Sequence, residues 1–221
     1  MGKITGDYLW RMEDILAQYE RPYDPAWPLV CFDERPCFLL EATGGILPMS
    51  PGQAKREHHE YTKNGACCVL LAFEPHTGLR YLEVRARRTG VDYAEFMQTL
   101  LEVYYPQAKG VRIVQDNLNT HTPGTFYEVL PAADAFALAQ RFDMHYTPKR
   151  GSWLNMAEIE FAALARQCLN RRLPTQAALE REAVAWMEQR NEKGVTVEWT
   201  FAHTKAREKL KRHYDLVNKL S

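Results

Sequence analysis

No stretch of about 18 consecutive apolar residues occurs in the 221-residue chain, so the sequence offers no transmembrane helix. It also lacks a charged-then-apolar leader at its start, which leaves no secretory signal to read. Net charge is absent as well: 28 Lys and Arg balance 28 Asp and Glu. A protein that holds nucleic acid by charge alone is thereby disfavoured, although a local basic face is not. The five cysteines (Cys31, Cys37, Cys67, Cys68, Cys168) are odd in number and form no CxxC pair. A disulfide framework and a structural zinc site are both disfavoured, and a reducing cytoplasm is the expected setting. His58-His59, Cys67-Cys68 and His76 likewise lack metal-ligand spacing. There is no internal repeat and no low-complexity segment. What remains, 46% hydrophobic and 25% charged residues, is an ordinary globular composition in a chain long enough to bury a full core.

Helical spacing of Leu9, Met12, Ile15 and Leu16 predicts a helix over 8–20 that stops before Arg21-Pro22. Pro22, Pro25 and Pro28 then read as an extended arm, which makes this helix a lead-in outside the core. A short buried strand over 29–32 ends at Asp33-Glu34. Residues 36–50 read as a hairpin or irregular strand closing at Gly44-Gly45, and 51–64 as an exposed polar loop. Strands over 66–74 and 79–86 flank the turn residues Glu74 to Gly78 and complete a three-stranded antiparallel meander. Thr89 caps a helix over 91–105, and Pro106 ends it. A strand over 111–115 follows, then helices over 125–130 and 133–141, a strand over 142–146, and helices over 155–169, 175–191 and 203–216.

This order predicts an α/β ribonuclease-H-like fold. Its sheet has five strands, three antiparallel followed by parallel additions, flanked by helices and extended by C-terminal helices. The expected division is a lead-in helix and linker over 1–24, the ribonuclease-H-like domain over 25–173, and a helical extension over 174–221 packed on it. In that topology the first strand is central and the fourth lies beside it. Asp33 and Asp116 then end neighbouring strands, and the helix bearing Glu158 crosses above them.

The chemistry gathers around these three acids. In Ile113-Val114-Gln115-Asp116-Asn117-Leu118-Asn119-Thr120-His121 a β-branched run climbs to Asp116 and stops in an Asn-rich turn. Three carboxylates from distant parts of a chain suit hard divalent ions such as Mg²⁺, which want oxygen ligands. Two such ions about 3.5–4 Å apart can serve the two sides of an in-line phosphoryl displacement, with Asp33 shared between them. Each acid also has a plain structural role open to it. Asp33 can cap a turn, Asp116 can make an Asx-turn, and Glu158 can close a capping box with Asn155. Glu160 is a rival to Glu158 but points to a different helix face. Glu34 faces away from Asp33 and reads as an outer acid or ion-pair partner. His121 is equally balanced between a structural role and a place near phosphate or water. Asn117 and Asn119 read as turn formers. Trp153 is a core anchor or an aromatic that stacks on DNA, with the core favoured. The short basic groups Lys55-Arg56, Arg85/Arg87/Arg88, Lys149-Arg150 and Arg171-Arg172 are individually solvated surface. Lys149-Arg150 and the last helix, with Lys205, Arg207, Lys209, Lys211 and Arg212, are the places where a phosphate backbone would be met.

Three segments in order carry a family likeness. Cys31-Phe32-Asp33-Glu34, Gln115-Asp116-Asn117-Leu118-Asn119-Thr120-His121 and the run from Pro148 to Glu158 together resemble the catalytic domain of mariner-superfamily transposases, nearest the bacterial insertion-sequence branch. The 42 positions from Asp116 to Glu158 fit the family's interval, and the likeness covers about residues 25–215. It implies a catalytic, metal-holding triad of Asp33, Asp116 and Glu158, supported by Glu34, Asn117, His121 and Asn155. It also implies two Mg²⁺ or Mn²⁺ ions and cut-and-paste transposition at TA targets. Lys149, Arg150, Trp153, Arg171 and Arg172 become candidates for contact with DNA, both element ends and target. The likeness places the third acid at Glu158, not Glu160. A homodimer acting on the nucleoid is expected, with no membrane partner. Two departures stand out: Met156 replaces the family's proline, and the paired helix-turn-helix modules of full-length relatives are absent. A split or truncated reading frame, or a trimmed form, is the corresponding expectation, with end recognition supplied by a separate helix-turn-helix polypeptide. The alternatives are an inactive, dimerising remnant and a structure-selective nuclease on the same fold.

Overall fold

The computed structural model describes residues 4–43 and 61–218. Gly44-Gly45, Lys55-Arg56 and His58-His59, with most of the expected polar loop, lie outside the described residues. Five strands form one sheet in the order β3-β2-β1-β4-β5. They are β1 (Leu29–Ala42), β2 (Tyr61–Glu74), β3 (Leu79–Arg85), β4 (Val111–Gln115) and β5 (Phe142–Tyr146). The first three are antiparallel and the last two join in parallel, with β1 central, as the element order predicts.

Alternation along the strands loads both faces of the sheet with apolar side chains. Cys67 and Cys68, adjacent in β2, are both buried, one in each layer. One face takes Val30, Phe32, Leu70, Val111 and Ile113 against α2 (Gly90–Thr99), the π-helical turn that continues it (Leu100–Tyr104), α3 (Pro123–Val129) and α4 (Ala132–Gln140). Thr89 starts α2 through a capping box with Asp92. The other face takes Leu29, Cys31, Val69, Leu71 and Val114 against α1 (Gly6–Glu20), α5 (Ala157–Gln167) and α6 (Gln176–Glu192). Two short helices, α7 (His203–Lys209) and α8 (Lys211–Val217), stand where one basic helix was expected.

Two expectations need correction. First, α1 is not a lead-in outside the core. Leu9, Met12, Ile15 and Leu16 are buried in it, each worth about 1.5–3 kcal/mol of transfer free energy as an upper estimate. The proline arm is no loose tether either, because Pro28 and Trp27 carbonyls accept from Arg112, and Ala26 from Lys109. Second, β1 does not stop at Phe32 but runs unbroken through Asp33 to Ala42, paired throughout with β2. Asn64 is an extra residue in β2 opposite Leu39 and Leu40, where Gly65 adopts a φ of 117° that a side chain would resist.

The C-terminal helices return to α1. Glu13 accepts a two-pronged bond from Arg207 (2.8 and 2.7 Å) and one from Tyr214 (2.5 Å). The Arg207 bond outweighs partial burial, and with Tyr214 it holds the Glu13 carboxyl down at about pH 2. A depressed acid contributes stability above its unfolded pKa, near 4.5, and loses it as pH falls toward 2. Glu13→Gln is therefore expected to lower the melting temperature at pH 7 while leaving it near that of wild type at pH 2; equal melting at pH 7 would rule the contact out as a stabiliser.

Candidate active site

Parallel pairing of β1 with β4 brings two acids together. The last paired positions are Cys31 and Val114, and two residues further along each strand stand Asp33 and Asp116. Both share the parity of Cys31 and Val114, so both belong to the face covered by α5. Asp33 is at a strand end only with respect to β4, since β2 continues to pair with it at Leu71.

Glu158 arrives from α5. A turn at Pro148 leads into a single 3₁₀ turn (Ser152–Leu154), whose Leu154 carbonyl accepts from Tyr19 of α1 at 2.5 Å. Asn155 then does two jobs while almost fully buried. Its Oδ1 accepts from the Ala157 N–H at 3.1 Å, capping the helix start. Its Nδ2 donates to the Phe32 carbonyl (2.7 Å) and to Asp33 Oδ2 (3.3 Å), tying α5 to β1. The capping box left open in the sequence is thus only half built. Asn155 caps, whereas the Glu158 side chain is exposed and hydrogen-bonds to no described residue. Glu160 is fully buried between Arg80 and Arg190 and does not reach the other acids' side of the helix.

Asp116 and Glu158 act electrically on Asp33. Burial pushes the Asp33 carboxyl up to about pH 7; the Glu34 N–H bond (2.8 Å) opposes this, and the charges of Glu158 and Asp116 add to it. An anion that burial and two like charges disfavour is one that a divalent cation would settle. The donors are oxygens only, which suits hard ions such as Mg²⁺ and Mn²⁺. Among the described residues no three of His, Cys, Asp and Glu are already drawn together closely enough to enclose an ion.

Behind Asp116 lies a buried clamp. His121 is fully buried, and its Nδ1 meets Asp116 Oδ1 at 2.5 Å. Its Nε2 lies 3.8 Å from Glu34 Oε2, an ion pair too long for a hydrogen bond. Burial disfavours the imidazolium, but Asp116 and Glu34 outweigh it and hold its pKa up at about 9. The ring stacks on Tyr93 (4.7 Å between centroids) and meets Phe32 edge-on. The even balance in the sequence therefore resolves toward a charged strut, out of reach of solvent. Glu34, on the opposite face from Asp33 as its position predicts, carries on the chain to Arg88 at 3.5 Å.

Sequence reasoning missed the backbone support of this turn. Gln115 Nε2 (3.1 Å) and Tyr146 OH (2.9 Å) both donate to the His121 carbonyl, and Tyr93 OH donates to Gln115 Oε1 (3.0 Å). The available signal was Gln115 itself, a polar residue ending a strand that is buried at every position. Asn117 and Asn119 are exposed in the turn.

The remaining candidates are scattered. Lys149 and Arg150 are exposed just before the 3₁₀ turn and pair with no described residue. Arg150 has a φ of 66°, a left-handed conformation that costs a non-glycine residue about 1–2 kcal/mol. Trp153 is not a core residue: it is 45% exposed, donates to Tyr8 OH at 3.3 Å and leans on Trp199 and Phe201. Arg171 is tied to Glu182 and the Cys168 carbonyl, and Arg172 beside it is half-buried. In the last helices Arg207 is held by Glu13 and Lys211 by Asp215. No described helix is long and apolar enough to cross a membrane.

Comparison with known proteins gives a consistent picture. Residues 28–180, more than two thirds of the chain, match the family model of the DDE superfamily endonucleases. Among solved structures the chain is similar to the Mos1 transposase paired-end complex with left transposon end, at a TM-score of 0.59 and 14% identity. That match covers 99% of this chain and 64% of the other. The Mos1 mariner paired-end complex with Mn (TM-score 0.57, 14% identity, 99% and 65% covered) and the Mos1 strand transfer complex (0.56, 13%, 96% and 61%) are similar as well. Identity at this level speaks for the fold, which is ribonuclease-H-like, and the chain spans less than two thirds of these proteins' length. No curated protein matches.

Proposed function

The chain belongs to the DDE superfamily of endonucleases, and on that premise we propose that it is the catalytic part of a mariner-superfamily transposase of the bacterial insertion-sequence branch, cleaving DNA at element ends and joining the freed 3′ ends to a target. The observation that carries this reading is that Asp33 and Asp116 stand two residues past the same β1–β4 pairing, where burial, with the charges of Glu158 and Asp116 added, pushes the Asp33 carboxyl toward its neutral form. These three would hold two Mg²⁺ or Mn²⁺ ions. Bound divalent ions supply Lewis-acid activation of the attacking oxygen and charge relief on the leaving one.

The chain's own residues do the rest. Asn155 holds Asp33 to the start of α5, and His121 fixes the orientation of Asp116 while balancing the buried charge of Glu34. Lys149 and Arg150, exposed and without a partner among the described residues, are placed to meet backbone phosphates, and Trp153 offers a half-exposed ring beside them. The left-handed conformation of Arg150 supports this, because glycine would fit that backbone better and only the guanidinium argues for arginine. Residues 25–173, with α1 packed into their core, are read as the catalytic unit and 174–221 as its helical extension. DNA ends and target are the partners, on the nucleoid, with a homodimer and a separate helix-turn-helix polypeptide completing the assembly; similarity to complexes formed with transposon ends supports DNA as the partner.

The test uses a labelled duplex that ends in a candidate terminal inverted repeat, with the helix-turn-helix polypeptide of the proposed assembly supplied alongside the chain. Nicks at the repeat boundary are expected with Mn²⁺, none with a chelator, and none from Glu158→Gln. A nick that persists unchanged in Glu158→Gln sinks the assignment.

A further inference from the structure

Glu160 lies two residues beyond Glu158 on α5, on the other side of the helix, and is wholly buried. A carboxylate removed from water survives as an anion only among cations and donors. Two guanidiniums supply them. Arg80 of β3 donates from Nε to Oε2 at 2.5 Å, and Arg190 of α6 grips both oxygens, at 3.0 Å each. Arg80, itself fully buried, lies 4.7 Å over the Phe73 ring and donates onward to the carbonyls of Gly78 and Val195. Asn191 closes the cluster by bonding both the N–H and the carbonyl of Arg80, at 2.9 Å each. Gly78 packs so tightly here that a Cβ would come within 2.7 Å of the Val195 oxygen. A cluster of buried charges adds little net stability over apolar side chains of the same volume. What a two-pronged guanidinium adds is one permitted geometry.

That geometry falls next to the site. α5 is gripped at Asn155, against β1, and again at Glu160, against β3 and α6. Between the two grips stands Glu158, exposed and with no hydrogen bond to a described residue. Apolar contacts from Phe161 and Leu164 turn one side of the helix to the sheet, but being non-directional they set its rotation less sharply than a two-pronged ion pair does. We propose that Arg80, Glu160 and Arg190 are positioning residues that fix the rotation of α5 and so present Glu158 toward Asp33. The chain from α6 to Val195 is then a working part of the site. The inference rests on reading Asp33, Asp116 and Glu158 as the metal-holding acids.

The experiment replaces the whole cluster by apolar side chains, Arg80→Met with Glu160→Leu and Arg190→Met, so that no charge is stranded. Amide hydrogen exchange at residues 157–161 reads the helix without reference to metal or DNA, and it is expected to quicken at least about tenfold. Mn²⁺ affinity, followed by electron paramagnetic resonance, should fall by about 10–100-fold while binding of duplex DNA is kept. If the triple variant does not fold, Arg190→Lys, which keeps the charge and loses the fork, is expected to move both readouts in the same direction. Unchanged exchange overturns the proposal. So does faster exchange with Mn²⁺ affinity intact, because the cluster is then only a brace. A wild-type chain that binds no Mn²⁺ refutes the metal-site reading, and exchange at 157–161 then decides alone whether the cluster holds α5.

Discussion

Asp33→Asn is expected to abolish metal-dependent strand cleavage and, in metal-free buffer at pH 8, to make the protein more stable. The first effect follows from the proposed role of Asp33 as a metal-holding acid with Asp116 and Glu158, because an amide offers one neutral oxygen in place of a charged carboxylate. A loss of at least about 10³-fold in rate is the expected scale for removing charge stabilisation of this kind. The second effect has the opposite sign for the same reason. Burial together with the Glu158 and Asp116 charges raises the Asp33 carboxyl to about pH 7. A carboxyl raised in the folded state costs stability once pH exceeds its unfolded value, and the full cost is reached above the folded one. Asparagine keeps the size and removes the charge, for a gain on the order of 1–3 kcal/mol at pH 8 and none at pH 4. Thermal melts at the two pH values, with and without Mn²⁺, read this directly. Mn²⁺ should raise the melting temperature of wild type and leave the variant unmoved. A variant that melts below wild type at pH 8 without metal would show that Asp33 is an ordinary paired acid.

His121→Ala is expected to damage both stability and activity. The imidazolium is the main cation near Glu34, whose other partner, Arg88, is exposed and sits at 3.5 Å. Removing one member of a buried pair strands the other, at about 3–5 kcal/mol. The hole left between Tyr93 and Phe32 adds to that. For a chain of this length the melting temperature should drop by about 10 °C. Asp116 would lose its 2.5 Å contact, so cleavage by the protein that remains folded should fall by about 10–100-fold. His121→Gln, which can donate to Asp116 without charge, should recover more of the activity than of the stability. Melting within a degree of wild type for His121→Ala would mean that the imidazole is not charged in the fold.

Much of the architecture was legible in the pattern of residues, and the failures share a cause. Periodicity placed β3, β4, β5 and the helices from α1 to α6 within a few residues, because local patterns report which side of an element is buried. It set the start of β2 five residues late and read α7 and α8 as one helix. It misjudged β1 because Pro36 cannot donate in a sheet and so looks like a stop. In the fold, β1 has left β4 behind by Cys31, and Pro36 faces Cys68 on a stretch with only one neighbour. The proline arm misled in the same way: Pro22, Pro25 and Pro28 look like a tether, and only the distant Arg112 and Lys109 show that it is bonded down. At the site, helical spacing already set Glu160 on a different face from Glu158. What it could not show is that Glu160 is buried between two arginines, since those partners lie 80 and 30 positions away. The same distance in sequence hid the balance of Glu34, His121 and Asp116, which exists only once β1 and β4 are side by side.

The unbroken run of β1 has a consequence for how the carboxylates come together. Asp33 sits within a paired strand, with Leu71 opposite it and Asn155 bonded to it, so its backbone has no freedom to shift. Asp116 stands at the mouth of a turn, and Glu158 projects from the first turn of a helix. In the proposed triad the supports are therefore unequal: one acid is fixed within a sheet, and the other two stand where an element begins or ends. Substitutions that loosen the turn after β4 or the start of α5 should weaken capture of the ion, whereas those at the apolar positions of β1 flanking Asp33 should disturb the fold before they disturb the chemistry.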